Sequence, residues 1–188
     1  MIYADGTIYQ GKFSNNKPDG LGITIITKYH ELAKKNEQFK HKGFYRAGKP
    51  QGKGVQVWEN GTIFKGHFEK GQMSSQNAIL KYSDGTEYKG DVVDGLLHGK
   101  GTLKFSNNSK YVGGFKKSKM DDKNGKLIIL EDNGSTAEIY KGGFKNGNRH
   151  GSGTLSIPGS PKETVRYKND KLILTQKNNK TNESKRTK

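Results

Sequence analysis

The sequence predicts an all-β fold: an elongated, twisted antiparallel meander of tandem β-hairpins joined into a single-sheet ribbon. Three observations carry the prediction. The motif aromatic-x-Gly-x-aromatic recurs along the 188 residues, followed nine residues after its glycine by Gly-x-Gly; periods of this kind mark repeat architectures. Glycine accounts for 26 residues, roughly twice its ordinary frequency of about 7%, while aromatics reach 10%. Only 29% of residues are apolar, too few to offset chain entropy in a deep single core. Such a chain needs an architecture that buries little per residue, and composition argues against a large enzyme.

The copies open at residues 9, 41, 64, 88, 111 and 140, so the basic unit is about 23 residues. The best are Tyr9-x-Gly11-x-Phe13 with Gly20-x-Gly22, Tyr88-x-Gly90-x-Val92 with Gly99-x-Gly101, and Tyr140-x-Gly142-x-Phe144 with Gly151-x-Gly153. His41-x-Gly43-x-Tyr45 is followed by Gly52-x-Gly54. Two copies are degraded: Phe64-x-Gly66-x-Phe68 meets Ser75 and Asn77 where glycines should stand, and Tyr111-x-Gly113-x-Phe115 reaches Gly125 only with an inserted residue. Residues 88, 90 and 92 share one parity and so one face of a strand, as do Gly101, Leu103 and Phe105 on the return. Between them, Asp94 to Gly99 reads as a loop. The units are joined at Asp5-Gly6, Asn60-Gly61, Asp84-Gly85 and Asn133-Gly134, pairs that accept positive φ and signal hairpins.

The segments Tyr88–Gly101 and Tyr140–Gly153 resemble the MORN repeat, whose pattern runs Y-x-G-x-W-x-x-G-x-x-H-G-x-G followed by a D-G turn. The resemblance spans residues 3 to about 160 and implies tandem MORN-type hairpins. Residues 1–160 are thus expected to hold about six repeats with a half-repeat at the N-terminus, 161–175 a degenerate terminal strand pair or cap, and 176–188 a basic disordered tail. Two long connections, Ile23–Phe39 and Leu127–Ile139, read as hairpins with extended strands, the tip Glu31–Glu37 having a helical turn as its alternative. The half-repeat start fits either a fragment or a natural cap.

Nothing in the chain reads as catalytic. There is no cysteine, hence no disulfide, thiolate nucleophile or thiolate metal site. His98 and His150 recur at one repeat position, which argues for a structural role, and no histidine pair has metal-ligand spacing. Gly95 to Thr102 is one residue too short for a phosphate-binding loop and has Gly101 where Ser or Thr is required. Asp121-Asp122 reads as a solvated pair. No cofactor and no metal are expected. No stretch approaches the ~18 apolar residues of a membrane span, and no secretory signal is evident; the location predicted is cytoplasmic.

Charge is the informative feature. Lys and Arg number 34 against 18 Asp and Glu, a net +16, with +6 of it in residues 162–188. Beside the leading aromatic, where the MORN pattern often carries Glu, stand Lys42, Lys65, Lys89 and Lys141. Their parity is opposite to the rings, so they should line one face about 10 Å apart at two strands per repeat. Lys53, Lys100 and Lys104 add to it.

Two binding sites follow as expectations. The first is a protein-binding groove along the aromatic face (Tyr9, Phe13, Tyr45, Trp58, Phe64, Phe68, Tyr88, Tyr111, Phe115, Tyr140 and Phe144). The second is an anionic-surface site of Lys42, Lys65, Lys89, Lys100, Lys104 and Lys141. The resemblance implies a non-catalytic scaffold that docks an extended peptide or helix in a cytoskeletal, ciliary or membrane-associated assembly. An acidic cytoskeletal surface would suit the net charge. The alternatives are an anionic phospholipid module and a targeting segment of a lipid-kinase-like or methyltransferase-like parent. Nucleic acid is disfavoured because the basic residues are nearly all lysine.

Overall fold

The structure, a computed structural model, describes residues 1–4, 6–26 and 39–177. Its regular structure is β throughout. The strands are β1 (Ile8–Ser14), β2 (Lys17–Ile26), β3 (Phe39–Arg46), β4 (Lys49–Trp58), β5 (Ile63–Glu69), β6 (Gln72–Met73), β7 (Ser75–Lys81) and β8 (Glu87–Val93). They continue as β9 (Leu96–Lys104), β10 (Lys110–Lys116), β11 (Lys119–Met120), β12 (Asp122–Leu130), β13 (Thr136–Lys145), β14 (Asn148–Ser156), β15 (Glu163–Lys168) and β16 (Lys171–Lys177). All belong to one open antiparallel sheet in chain order, with the two-residue strands β6 and β11 pairing β5 and β10 at the hairpin tips. Consecutive antiparallel pairing is what short connections permit.

Each hairpin closes on two residues of positive φ. The pairs are Asn15-Asn16, Ala47-Gly48, Lys70-Gly71, Asp94-Gly95, Lys117-Ser118, Asn146-Gly147 and Asn169-Asp170, the backbone of the type I′ turn that matches strand twist. The loop expected over Asp94–Gly99 is therefore wrong. The turn is Asp94-Gly95 alone, and pairing resumes at once with Val93 opposite Leu96 and Val92 opposite Leu97. At the opposite edge, Asn60, Asp84 and Asn133 each accept the N–H two residues ahead through the side-chain oxygen. Asn107 does the same for Ser109, and there Asn108, at φ 66°, stands where the others have glycine.

Neighbouring tips are stitched together. The N–H of the second turn residue donates to a carbonyl of the preceding hairpin: Gly48 to Pro18, Gly71 to Pro50, Gly95 to Met73, Ser118 to Leu97, Gly147 to Met120 and Asp170 to Arg149, at 2.8–3.0 Å. β15 and β16 thus form a seventh hairpin in the same register as the others. β16 reaches Lys177, two residues into the segment expected to be disordered, by pairing Glu163 with Lys177 and Thr164 with Gln176. The rest of that tail, and the tip Glu31–Glu37, lie outside the described residues. At the N-terminus Ile2 bridges Ile8, and Met1 exchanges backbone hydrogen bonds with Tyr9.

The core is one residue thick and lies on one face. A row of small residues crosses the ribbon in direct register, from Gly11–Gly22–Gly43–Gly54–Gly66 through Ala78 to Gly90–Gly101–Gly113. It continues through Gly125, Gly142 and Gly153. At β7 it is Ala78, not the expected Asn77, that faces Gly90, because Asn77 takes φ 60° at an irregularity in the pairing. Over this row lie the leading rings. An added Cβ on Gly101 would stand 2.5 Å from the Tyr88 ring, and one on Gly153 at 2.5 Å from that of Tyr140. The glycines are the space that the rings fill. Gly101→Ala is accordingly expected to cost about 1–3 kcal/mol through overpacking, read as a lower urea midpoint; an unchanged midpoint would disprove the ring-over-glycine account.

Candidate functional site

The ring face is closed by its own packing. Tyr9, Tyr45, Phe64, Phe68, Tyr88, Tyr111, Phe115, Tyr140 and Phe144 are all at most 4% exposed. They meet edge-to-face in two stacks. One runs Phe13–Tyr9–Tyr45–His41–Phe68–Phe64 and the other Tyr88–Phe115–Tyr111–Phe144–Tyr140–Tyr167, with centroids 4.4–5.4 Å apart. Such T-shaped pairs suit the ring quadrupoles. The stacks break where Val92 occupies the second ring position. The eleven rings do share one face, but Phe13, at 42% exposed, and the half-buried Trp58 are those that a partner can reach. A concavity of about 540 Å³ near Tyr9, Thr24, Phe39, His41 and Tyr45 opens on this side.

Buried hydroxyls need acceptors, and the repeat supplies one. Tyr9, Tyr88, Tyr111 and Tyr140 each donate to the carbonyl three residues ahead, at 2.8–3.2 Å. Burial pushes the phenols of Tyr88 and Tyr111 well up. Tyr45, held by Thr24 at 2.6 Å, is pushed up to about 12 by burial.

Sequence reasoning missed three members of this face. Tyr167 extends the second stack to the seventh hairpin, a position hidden because Val165 replaces the glycine of the motif. Arg149 lies 4.3 Å over the Tyr167 ring and pairs with Glu138 and Asp170, closing the end of the stack with a cation. His41 fills a tyrosine position, 1% exposed, and neither ring nitrogen finds a hydrogen-bond partner among the described residues. A signal for it was available: it stands where four other copies carry a ring with a hydroxyl.

The opposite face carries the lysines. Lys42, Lys65, Lys89 and Lys141 are exposed and lie in one row across the sheet. Lys42 faces Ile23 and Val55, Lys65 faces Val55 and Ile79, Lys89 faces Ile79 and Thr102, and Lys141 faces Lys126 and Thr154. The interleaved residues are chiefly β-branched, and none of these four lysines makes an ion pair with a described residue.

Lys100 and Lys104 differ. Lys100 donates to Asp122 at 2.7 Å, and Lys104 lies opposite Glu87. Burial pushes the Asp122 carboxyl up, but hydrogen bonds from Lys100, Asn124 and Gly114 hold it below its usual range. Glu87 is likewise held low by a hydrogen bond from Lys81, by the Lys81 charge and by Lys104. These acids partly neutralise the face from β8 to β12, whereas Lys42 and Lys65 have no such partner among the described residues. Among the described residues no cluster of three metal-ligating side chains forms. His98 and His150 are strand residues, the latter 3.1 Å from Asn169.

The family model of the MORN repeat matches residues 9–27, 41–63, 88–110 and 140–159. The chain carries MORN repeats in these four segments. A search of curated proteins finds no match. The copies opening at 64 and 111 fall outside the matched segments, yet share the MORN hairpin geometry: at one Ala78 and Ser75 replace glycines, and at the other β11 and β12 absorb the inserted residue. MORN repeats are generally non-catalytic modules, often engaged in membrane or protein binding. No helix among the described residues is long and apolar enough to cross a membrane.

His41 gives the MORN core an acid-sensitive point. Burial lowers its pKa from 6.5 to about 4, and its ring neighbours Tyr45 and Phe68 are uncharged. The unfolded chain takes up the proton first, so this residue's contribution is intact above 6.5 and is lost as pH falls toward 4. Urea midpoints at pH about 7 and about 4.5 should differ more for the parent than for His41→Tyr; equal shifts would mean that the imidazole plays no part.

Proposed function

We propose that this chain is a non-catalytic scaffold or adaptor that binds other proteins within a cytoskeletal, ciliary or membrane-associated assembly. One observation carries the reading. A single-layer sheet has two faces, and this one spends its ring face on its own stability while the other presents unpaired lysines between short apolar side chains. A rigid, solvent-facing row of that kind is suited to a partner surface rather than to chemistry. Phe13 and Trp58 extend the candidate contacts to the rim of the ring face. The net charge of +16 favours acidic partners by steering their approach.

A second reading, an anionic phospholipid module, rests on the same row, since each lysine near an anionic membrane contributes about 1 kcal/mol. Sedimentation with polymerised microtubules, an acidic protein surface, beside flotation with phosphatidylserine vesicles separates the two. The parent is expected to bind the protein surface in a salt-sensitive manner. Changing Lys42, Lys65, Lys89 and Lys141 to Glu lowers the net charge from +16 to +8 and should abolish that binding. Thermal stability should barely move, because exposed charges contribute little individually. Undiminished binding by a folded quadruple variant would show that the row is merely solvated; binding to vesicles alone would favour the membrane reading.

A further inference from the structure

The lysine face is not uniform, and its N-terminal half contains a trough of about 920 Å³ that crosses the strands from β1 to β7. Its floor is backbone, the register-matched Gly22, Gly43, Gly54 and Gly66, whose missing side chains would point to the ring face. Lys42, Lys53 and Lys65 line it, with Val55 between Lys42 and Lys65 and with Leu21 and Ile23 on the β1 side of Lys42. Among the described residues no Asp or Glu lines it, and Asp19 lines the adjoining concavity of about 500 Å³ that shares Leu21 and Lys53 with it. The corresponding concavity of the C-terminal half, about 840 Å³, sets Asp121 and Asp122 among its lysines.

We propose that this trough holds an extended acidic segment of a partner polypeptide, lying across the strands, with carboxylates spaced to meet the lysines. The inference rests on the scaffold reading above and names the partner's chemistry. Lys42 and Lys65 lie two strands apart, about 10 Å at the spacing of neighbouring strands. An extended chain advances about 10 Å in three residues, so an acid at every third position meets them, the residues between face Val55, and those beyond Lys42 face Ile23 and Leu21. Six strands span about 24 Å, a length that about seven extended residues cover.

Charge disfavours the other occupants. A second copy of this chain carries +16, and the segments outside the described residues are basic too: residues 27–38 have three Lys against two Glu, and 178–188 have four Lys or Arg against one Glu. A polyphosphate would offer charge far more densely than lysines 10 Å apart can match, and would leave the apolar side chains uncovered.

The test uses the full chain and a fluorescent heptapeptide, Glu-Val-Thr-Glu-Val-Thr-Glu, read by polarisation against a scrambled peptide with its three Glu adjacent. The patterned peptide should bind the parent at least about tenfold more tightly than the scrambled one. Lys42→Glu, Lys53→Glu and Lys65→Glu together should remove that preference. The control triple Lys110→Glu, Lys126→Glu and Lys168→Glu, at exposed lysines outside the trough and the four-lysine set, changes the net charge equally and should retain it. The same trough triple with Gln checks that lost charge, not added repulsion, is responsible, and far-UV circular dichroism checks folding of each variant.

Equal losses in both triples, equal binding of both peptides, or displacement of the peptide by equimolar inorganic polyphosphate would overturn the proposal. Because the scaffold reading is scored separately by microtubule sedimentation of the quadruple variant, the trough can fail while that reading survives.

Discussion

The ribbon depends on one contact: an aromatic ring lying flat over two glycines that face each other across a strand pair. Tyr88 over Gly90 and Gly101 shows how it works. The ring fills the space that two side chains would occupy, and its hydroxyl turns down to the Asp91 carbonyl at 2.8 Å. Burial of a large aromatic gives the sheet its apolar payload, and the backbone carbonyl removes the penalty for burying the phenol. A chain with only 29% apolar residues folds because each unit needs just two rings and a pair of glycines. Each ring touches its own hairpin and the next, so the stack also couples the units, as the tip hydrogen bonds do; stability in such arrays is largely a nearest-neighbour sum.

Where the contact is imperfect, the structure shows why. Phe64 has no hydroxyl and needs no acceptor. Val92 is too small to continue the stack, and the apolar cluster there relies on Ala78, Leu80 and Leu97 instead. His41 keeps the ring and the glycines but lacks the hydroxyl, and its buried nitrogens have no partner among the described residues. These three positions lie between β3 and β8, whereas the stack from Tyr88 to Tyr167 is continuous and ends on Arg149 over Tyr167.

Much of this was legible in the residues themselves. The parity of 88, 90 and 92, the register of the glycine pairs and the Asn-Gly and Asp-Gly turns specify strands, face and direction, because side-chain alternation is strict. Other parts were hidden for physical reasons. Asn15-Asn16 and Lys117-Ser118 close hairpins without glycine, so the two-residue turn was not visible at those units, and Asp94-Gly95 was overextended into a loop for want of that comparison. Tyr167 was hidden because the seventh hairpin lost its glycine. The distribution of charge along the lysine face depends on which acids the fold brings near. Lys100 meets Asp122, 22 residues away, only once β9, β10 and β12 are aligned.

That distribution follows from the thinness of the sheet. With the core confined to one face, residues of opposite parity contribute little to stability, and their identity is left to other demands. From β8 onward, Glu87 and Asp122 compensate bases around them, which limits self-repulsion in a chain of +16. Before β8 no described acid stands directly opposite Lys42 or Lys65, although the register offers positions for one at Ile23, Val55 and Ile79. Short apolar residues fill those positions instead. Lys42 and Lys65, held apart by Val55 over a glycine floor, gain no ion pair from folding with a described residue; on the proposal above, carboxylates of another chain would supply it.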